Sequence, residues 1–374
     1  MKHRQILTTA LIAAVTLAAC GGSEIASTGT WNDCPETISL QTDWHPEAEH
    51  GNLYQLIGPG YTIDKTKLRV KGDLIVGGEK TGVKIEIRAG GPAIGNSSVV
   101  SQLYQDPSIL LGFRSTDDQV FHSGDEFPTI AVVAPFNINP QIIMWDPDTY
   151  PQVKTIADLK KTGAKIRYFP DIPYMKYFTT TGILDVKQVE AGYEGYAASF
   201  IAAGGKDAQQ GFGTSEPYQY KYVLQDWKKD IRYQYIHNAG WTGYAQSLGG
   251  TPENIAKYDT CLKALVPVIQ QATVDYLASP DTANAVILDA VKQYNSGWTY
   301  DAEQAEAAVQ QMQADKLIAN STDGTLGSFD IGRVTEFIAK AIPVFTKTGT
   351  KVKEGLVAGD IVTNKYIDPT IKLG

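Results

Sequence analysis

The chain has 374 residues, with 33 Lys and Arg against 41 Asp and Glu, and a formal net charge of −8. An acidic chain lacks the basic patches that neutralise phosphates, which excludes nucleic-acid binding as a main function. The length exceeds what one hydrophobic core usually holds, so we expect an α/β protein of two lobes.

Residues 1–19 have the pattern of a secretory signal. A basic start at Lys2 and Arg4 precedes an apolar run, 6–19, which is shorter than the roughly twenty residues of a membrane-spanning helix. The Leu-Ala-Ala-Cys sequence at 17–20 resembles the bacterial lipobox, which implies a lipoprotein in which Cys20 is diacylated and becomes the first mature residue. The alternative is an ordinary cleaved signal followed by a chance cysteine.

Lipidation would place the protein in the cell envelope, in the periplasm or on the outer face of the cytoplasmic membrane. Residues 20–34 would then form a lipidated tether, which begins with Gly and Ser residues. Cleavage leaves 31 Lys and Arg against 41 Asp and Glu, a net charge of −10. Since anionic lipids would repel such a chain, membrane attachment depends on the acyl chains at Cys20.

Two cysteines remain in the mature chain. Cys34 and Cys261 form an even pair in an exported protein, which predicts one disulfide that closes a loop of more than 220 residues. Two free buried thiols are the alternative. The chain has five His and no cluster of Cys and His, so we expect no metal site.

Strand-like and helix-like patterns alternate along the first two thirds of the chain and predict βαβ units with parallel sheets. The expected strands are 37–40, 83–88, 109–112, 129–134, 141–145, 165–168, 187–190 and 232–236. The expected helices between them are 49–57, 97–104, 116–122, 155–160, 174–181, 196–203 and 216–224.

After Thr251 the pattern becomes helical. Four long amphipathic segments, 258–278, 281–294, 301–313 and 329–345, predict helices that pack back onto lobe 1.

Two interruptions predict that one domain is inserted in another. Residues 135–140 contain two prolines and two asparagines, and 238–240 is the natural return crossing. Lobe 1 would comprise 35–137 plus 240–374, and lobe 2 would comprise 138–239. Ligands of such folds bind in the cleft outside the carboxyl ends of the strands.

The segment after the first predicted strand resembles a known family. Asp43-Trp44, Pro46 and His50, followed by a helix ending at Gly60-Tyr61, resemble the opening of the NMT1/THI5-like family. Matches in the same order include Gly182-Ile183, Ser215-Glu216-Pro217-Tyr218 and Tyr276-Leu277-Ala278-Ser279-Pro280.

The resemblance implies a periplasmic binding protein of type II topology, a SsuA/ThiY-type substrate-binding protein that delivers small ligands to an ABC permease and its ATPase. Members bind thiamine-precursor pyrimidines, riboflavin, sulfonates, nitrate or aromatic acids. The segment 62–81 is longer than the family usually has, and its strand-like pieces 68–70 and 74–76 predict a hairpin around 71–73.

Three candidate ligand contacts follow the first strand. Trp44 offers a flat face for stacking, and a core tryptophan is the alternative. Asp43 would accept hydrogen bonds from a ligand amine or amide, or would cap the following helix. His50 lies on that helix, where a surface or buried histidine is the alternative.

Two strand-to-helix turns supply further candidates. Gly91, Asn96 and Ser97 lie in a turn where backbone N–H groups would hold an anion or a carbonyl, or where a serine simply caps a helix. Phe113 would stack on a ligand. Arg114 would pair with a carboxylate or sulfonate, or would be a solvated surface arginine.

Tyrosine is concentrated in the predicted second lobe, where 11 of the 20 tyrosines lie between residues 140 and 239. Tyr168, Tyr174 and Tyr193 fall at ends of strands or helices facing the predicted cleft, which favours a planar ligand. Glu216 would bond to that ligand or cap its own helix.

Catalysis is not expected, nor is a cofactor. One branch of the family is a pyridoxal-dependent pyrimidine synthase, in which a lysine and a histidine occupy the positions of Arg114 and Asp118. Arginine stays protonated and cannot form the Schiff base. The sequence thus predicts a binding protein for a planar heteroaromatic ligand such as a thiamine-precursor pyrimidine. The alternative ligand is an aromatic carboxylate or sulfonate anion, and the oligomeric state stays open.

Overall fold

The computed structural model describes residues 31–124, 127–170 and 172–374. The predicted signal peptide, the lipidation site at Cys20 and the tether up to residue 30 lie outside the described residues. Within the described part of the chain, none of the helices combines the length and the apolar character needed to cross a membrane.

Seven strands form the first sheet, in the order β2-β3-β4-β1-β5-β12-β6. Their bounds are β1 Thr37–Gln41, β2 Thr62–Asp64, β3 Arg69–Val76, β4 Glu79–Arg88, β5 Ile109–Arg114, β6 Ile130–Val133 and β12 Ser247–Gly250. β1 runs parallel to β4 and β5, whereas β12 runs antiparallel to β5 and β6. The sheet is therefore mixed, and the expectation of parallel sheets holds only for its centre.

Five strands form the second sheet, in the order β11-β7-β10-β8-β9. Their bounds are β7 Gln141–Trp145, β8 Ile166–Tyr168, β9 Val189–Ala191, β10 Ala208–Phe212 and β11 Arg232–Tyr235. β8 is parallel to β9 and β10, and β7 is antiparallel to β10 and β11. The chain enters this sheet between β6 and β7 and leaves it between β11 and β12. The lobe boundaries drawn from the sequence stay a prediction.

Eleven α-helices flank the sheets within the described residues. They are α1 Gly51–Tyr54, α2 Val99–Gln105, α3 Thr116–Phe121, α4 Pro173–Thr180, α5 Ala198–Ala202, α6 Glu216–Tyr218, α7 Pro252–Lys257, α8 Asp259–Ala278, α9 Asp281–Tyr294, α10 Ala302–Ala314 and α11 Ile331–Lys347. Short 3₁₀ helices include 48–50 before α1 and 156–161 after β7, and a π-helix follows α6 at 219–223.

The helical C-terminal segment is confirmed. α8 packs on α1 and β6, and α9 packs on α1 and β2, so both cover the first sheet. α11 contacts α3 beside the first sheet and also α4 beside the second. The α/β class, with two sheets and a helical C-terminal segment, agrees with the sequence prediction.

The hairpin predicted around 71–73 is wrong in its position. β3 continues unbroken through those residues, and its hairpin partner is β4. The turn lies at Gly77 and Gly78, whose φ angles are 57° and 86°. A two-residue hairpin turn with both φ values positive favours glycine at both positions, which explains why the chain reverses there.

The predicted disulfide is present. Cys34 and Cys261 are bonded, with 4.8 Å between their Cα atoms and a sequence separation of 227. The bond joins the chain just before β1 to the first turn of α8, and Cys261 is fully buried there.

Candidate functional site

A cleft of about 1040 Å³ lies where the carboxyl ends of β1, β5, β8 and β10 meet the loops that follow them. Most of the residues that the sequence singled out line this cleft, while His50 and Tyr168 do not. The lining candidates are Asp43, Trp44, Gly91, Asn96, Ser97, Phe113, Arg114, Tyr174, Tyr193 and Glu216. The fold thus brings together residues that lie up to 173 positions apart in the chain.

Two glycines pack against the indole of Trp44. A Cβ atom at Gly91 would lie 2.5 Å from one ring carbon, and a Cβ atom at Gly195 would lie 2.9 Å from another. Gly91 follows β4 and Gly195 follows β9, so the indole joins a loop of the first sheet to a loop of the second. Only glycine permits both approaches.

Aromatic rings surround the indole edge. Phe169 and Trp298 make edge-on contacts with Trp44, with 5.9 Å and 6.2 Å between ring centroids. Trp298 also stacks on His45, with 5.0 Å between centroids and 11° between the planes. Burial and the nearby His50 lower the pKa of His45 to about 4, so His45 is neutral at physiological pH.

Trp298 was missed by the sequence reasoning. It comes from the loop between α9 and α10, where Ser296-Gly297 indicated only a break between helices. A tryptophan in a polar loop was the available signal, because large aromatic residues are uncommon there unless they contact something.

His50 lies behind the cleft surface. Its ring is fully buried, its Nε2 lies 3.0 Å from Asp43 Oδ1, and it stacks on Phe113 with 5.3 Å between centroids. His50 therefore positions Asp43 and supports Phe113 from the protein side. Tyr168, at the end of β8, is half-buried and does not line the cleft.

Glu216 and Tyr193 form one polar patch on the second-sheet side. The Tyr193 hydroxyl donates to Glu216 Oε1 at 3.2 Å, and the Phe212 N–H donates to Oε2 at 2.6 Å. Burial raises the pKa of Glu216 to about 7, although these hydrogen bonds act in the opposite direction. Glu216 is therefore poised to change charge near neutral pH.

Arg114 is paired within the protein. Its guanidinium donates to Asp118 and lies 3.4 Å from Thr129 Oγ1, and its side chain is only 2% exposed. Asp118 also lies 3.3 Å from His122 Nε2. Burial alone would raise the pKa of Asp118, but the Arg114 charge lowers it, so the pair is ionised.

The remaining candidates have ordinary structural partners as well as cleft positions. Ser97 is exposed and donates to the Ile94 carbonyl at 2.7 Å, while Asn96 holds a positive φ of 56° in the turn. Tyr174 is fully buried near the start of α4 and its hydroxyl has no hydrogen-bond partner within the described residues.

Two further polar residues line the cleft. Glu47 follows Trp44 by three residues, and Gln246 directly precedes β12, whose Ser247 pairs with Arg114. Gln246 is 4% exposed, and neither the nitrogen nor the oxygen of its side-chain amide has a hydrogen-bond partner among the described residues. Neither residue was singled out from the sequence.

Comparisons with known proteins bear on the fold. No family model matches the chain, and no curated protein matches its sequence. The alkanesulfonate-binding protein SsuA from Xanthomonas axonopodis, bound to MOPS, gives a TM-score of 0.55 at 16% identity, covering 88% of this chain and 99% of that one. The periplasmic aliphatic sulphonate binding protein SsuA from Escherichia coli gives 0.54 at 15% identity, covering 91% and 94%. The chain has the fold of the periplasmic binding proteins.

A third structure with the periplasmic binding protein fold raises the question of a metal. The ligand-binding component of an ABC-type import system from Staphylococcus aureus, with zinc bound, gives a TM-score of 0.53 at 10% identity, covering 89% of this chain and 98% of that one. Among the residues described here, no group of three or more His, Cys, Asp or Glu is arranged to hold a metal ion. At these identities the likeness establishes the fold only.

Proposed function

We propose that this protein is an extracytoplasmic solute-binding protein of an ABC importer. It captures a small planar heteroaromatic ligand, of the kind of a thiamine-precursor pyrimidine, and delivers it to the permease and its ATPase. The observation that carries the proposal is a cleft between two sheets with an aromatic lining from Trp44, Phe169 and Tyr193. Its volume of about 1040 Å³ is at the upper end for small-molecule sites.

The mechanism is hinge closure of two lobes over the ligand. The crossings at 135–140 and 238–240 would absorb the change in backbone angles. α11 contacts both crossings, because Arg333 donates to the Asn137 carbonyl at 2.7 Å and Lys340 donates to the Gly240 carbonyl at 2.6 Å. The Gly195 loop already packs on Trp44 across the cleft, so opening of the lobes would break this contact.

The proposed location is the cell envelope, with the lipid anchor at Cys20 holding the protein beside its permease. No step of this mechanism requires catalysis or a cofactor. The synthase alternative needs a lysine at position 114, whereas Arg114 is paired with Asp118. The synthase alternative predicts that incubation with pyridoxal phosphate produces the absorption band of a Schiff base. We expect no such band.

An anionic ligand is the second candidate, because two structural neighbours are named for sulfonates. It would require Arg114 to leave Asp118, or the exposed turn at Ser97 to act as the anion site. The ion pair of Arg114 disfavours this alternative, since its charge is already neutralised.

A thermal-shift screen of the full chain tests the proposal, with hits confirmed by isothermal titration. The panel comprises aminopyrimidines, riboflavin, aromatic carboxylates, sulfonates, nitrate and pyridoxal phosphate. A ligand present at 100 times its dissociation constant adds about 2.7 kcal/mol to the unfolding free energy. For a protein of this size we expect the melting temperature to rise by roughly 2–4 °C.

We expect hits among the heteroaromatic compounds. Trp44→Phe should weaken them and remove any ligand-induced quenching that Trp44 reports, while Trp31→Phe, outside the cleft, serves as the control. Hits confined to anions would instead support the second candidate. Absence of any hit together with normal folding would contradict a binding role for this cleft.

A further inference from the structure

We propose, on the basis of the function above, that the ligand carries a positive charge on an N–H-bearing group. Glu47 accepts that group, and Gln246 binds the polar edge beside it. The inference deepens the proposed function, since it assigns the charge class of the solute and two residues that select it.

Glu47 is the first observation. Its side chain is 8% exposed and lines the cleft, and its carboxyl receives no hydrogen bond from any described residue. The nearby His50 Nε2 lies 4.0 Å from Glu47 Oε1, which is beyond hydrogen-bonding distance, and is engaged with Asp43 at 3.0 Å. A largely buried carboxyl that lines the cleft and receives no hydrogen bond from the described residues is placed to accept one from a ligand.

Gln246 is the second, independent observation. Its φ of 50° is unusual for a residue other than glycine, and it fixes the side chain at the start of β12. The amide offers two donor hydrogens and an acceptor oxygen, and neither its nitrogen nor its oxygen has a partner in the described part of the chain. An amide in this state can bind both an N–H group and an acceptor atom of the same planar ligand.

The strand that carries Phe113, β5, lies between β1, which precedes Glu47, and β12, which follows Gln246. The Glu47 side is connected to Phe113 through His50, whose ring stacks on Phe113. The Gln246 side is connected through the strand pairing of Ser247 with Arg114 and Leu248 with Phe113. A ring stacked against the aromatic lining would therefore present its polar edge to both side chains.

The charges of the cleft have one dominant sign. Its lining includes a single arginine, Arg114, which Asp118 neutralises. The carboxyl groups lining it are Asp43, Glu47, Asp117, Asp118, Glu194 and Glu216. A cleft lined by several acidic groups, whose one arginine is neutralised, favours a cation over an anion. Aromatic faces beside it, such as Trp44 and Phe169, add cation–π attraction.

Binding should be linked to protons. Burial, followed by the charges of Glu49, Asp43 and Glu216, raises the pKa of Glu47 well above its ordinary value. The other titratable groups coupled to it are His50, Tyr54 and Tyr300. A cation beside this carboxyl favours its charged form, so binding should release protons wherever Glu47 is partly protonated in the free protein. Affinity for a cation should accordingly rise with pH.

Three probes of one shape but different charge test the inference. Benzamidinium is a planar aromatic cation, benzamide is its neutral counterpart, and benzoate is the anion. Isothermal titration of the full chain at pH 7 should show binding at least tenfold tighter for benzamidinium than for benzamide, and none for benzoate. Repeating the titration in two buffers of different ionisation enthalpy should reveal release of up to one proton per benzamidinium.

Variants test the roles of Glu47 and Gln246 separately. Glu47→Gln should remove the preference for benzamidinium over benzamide and abolish proton release. Glu354→Gln, at an exposed carboxyl outside the cleft, is the control and should change affinity less than twofold. Gln246→Met should weaken benzamidinium and benzamide by similar factors. Both Glu47→Gln and Gln246→Met should leave the melting temperature of the free protein unchanged or raised, since each removes an unpartnered group.

The outcomes are distinct. Benzoate or benzamide binding as tightly as benzamidinium, or a Glu47→Gln variant that keeps the preference, overturns the inference while leaving the binding function intact. If none of the three probes binds but other heteroaromatic compounds of the panel do, the charge assignment is wrong and the proposed function stands. If no compound of either set binds, both fall.

Discussion

Charged groups at two neighbouring places in the cleft are handled differently. At the end of β5, Arg114 is bonded to Asp118 and Thr129, and Asp117 accepts a hydrogen bond from the Trp241 indole at 2.9 Å. In the loop after β1, Glu47 has no hydrogen-bond partner among the described residues. Its neighbour Glu49 is bonded to Thr214 through one oxygen only.

The difference separates two uses of buried polar groups. Where each charge is paired, removal of one partner leaves a buried charge uncompensated and should reduce stability. Where partners are missing, the protein bears an energetic cost that only a bound molecule can relieve. Four substitutions, each with a measurable effect, test this distinction.

The largest loss of stability is expected when the ion pair of Arg114 and Asp118 is broken. Arg114→Met leaves Asp118 without its main counter-charge in a largely buried position, so the free energy of unfolding should fall by about 3 kcal/mol. Lys353→Met removes an exposed pair with Asp360 and should cost less than about 1 kcal/mol. Urea unfolding monitored by circular dichroism measures both. A loss at Arg114 no larger than at Lys353 would contradict a structural role for the pair.

The glycine contacts with Trp44 come next. Gly91→Ala and Gly95→Ala both place a Cβ on a backbone with positive φ, which costs roughly 1–2 kcal/mol. Gly95 has open space around it, whereas the new atom at Gly91 would overlap the indole. We therefore expect Gly91→Ala to destabilise by about 1 kcal/mol more than Gly95→Ala. Equal effects in thermal unfolding would show that the indole moves freely.

Glu216 gives a pH dependence. Its folded-state pKa of about 7 lies above the ordinary 4.5, so the folded protein binds more protons than the unfolded chain between these values. Stability should therefore fall as pH rises from about 5 through 7. Glu216→Gln should flatten the part of this slope near pH 7, and unfolding curves at pH 5, 6, 7 and 8 measure it. If the Glu216→Gln variant kept the same dependence of stability on pH, a group other than Glu216 would be responsible for it.

Removing single hydroxyl groups should have the smallest effects. Tyr193→Phe deletes the donor to Glu216 Oε1, which should weaken binding of a heteroaromatic ligand by about 2- to 10-fold, the worth of one hydrogen bond. Tyr168→Phe, away from the cleft, should change affinity less than twofold. Isothermal titration of the best ligand from the panel compares the two variants, and a larger loss at Tyr168 would contradict the placement of these rings.

Regular elements with strong patterns were predictable from the sequence. The helix expected at 281–294 has those bounds as α9, and the strand expected at 141–145 has those bounds as β7. The helix has an apolar periodicity long enough to identify it, and the strand is a dense apolar run. The lobe boundaries and the candidate ligand contacts were inferred from the placement of strand ends, and both stay predictions.

The missed elements are polar segments buried by tertiary contacts. β10 contains Gln209 and Gln210 and has no apolar alternation, yet it lies at the centre of the second sheet. Its amides bond to groups outside the strand, because Gln209 donates to the Tyr220 hydroxyl and Gln210 accepts from the Phe169 N–H. Local propensity carries no information about such partners.

The same reason explains the errors within the site. His50 has a contact with Asp43 that its sequence neighbourhood allows but does not require, so its burial behind the cleft was not predictable. Gln246 and Trp298 enter the cleft from loops that the sequence pattern treats only as connections between elements. Their importance depends on which loops the fold brings together.

The Cys34–Cys261 bond encloses every strand of the second sheet and most of the cleft within one covalent ring. A protease that cuts the chain once anywhere between these cysteines therefore opens the ring without releasing a fragment. Such a nicked molecule would migrate as one species under denaturing conditions and separate into two only after reduction. In an oxidising compartment, a single cleavage would leave both halves of the binding site attached to each other.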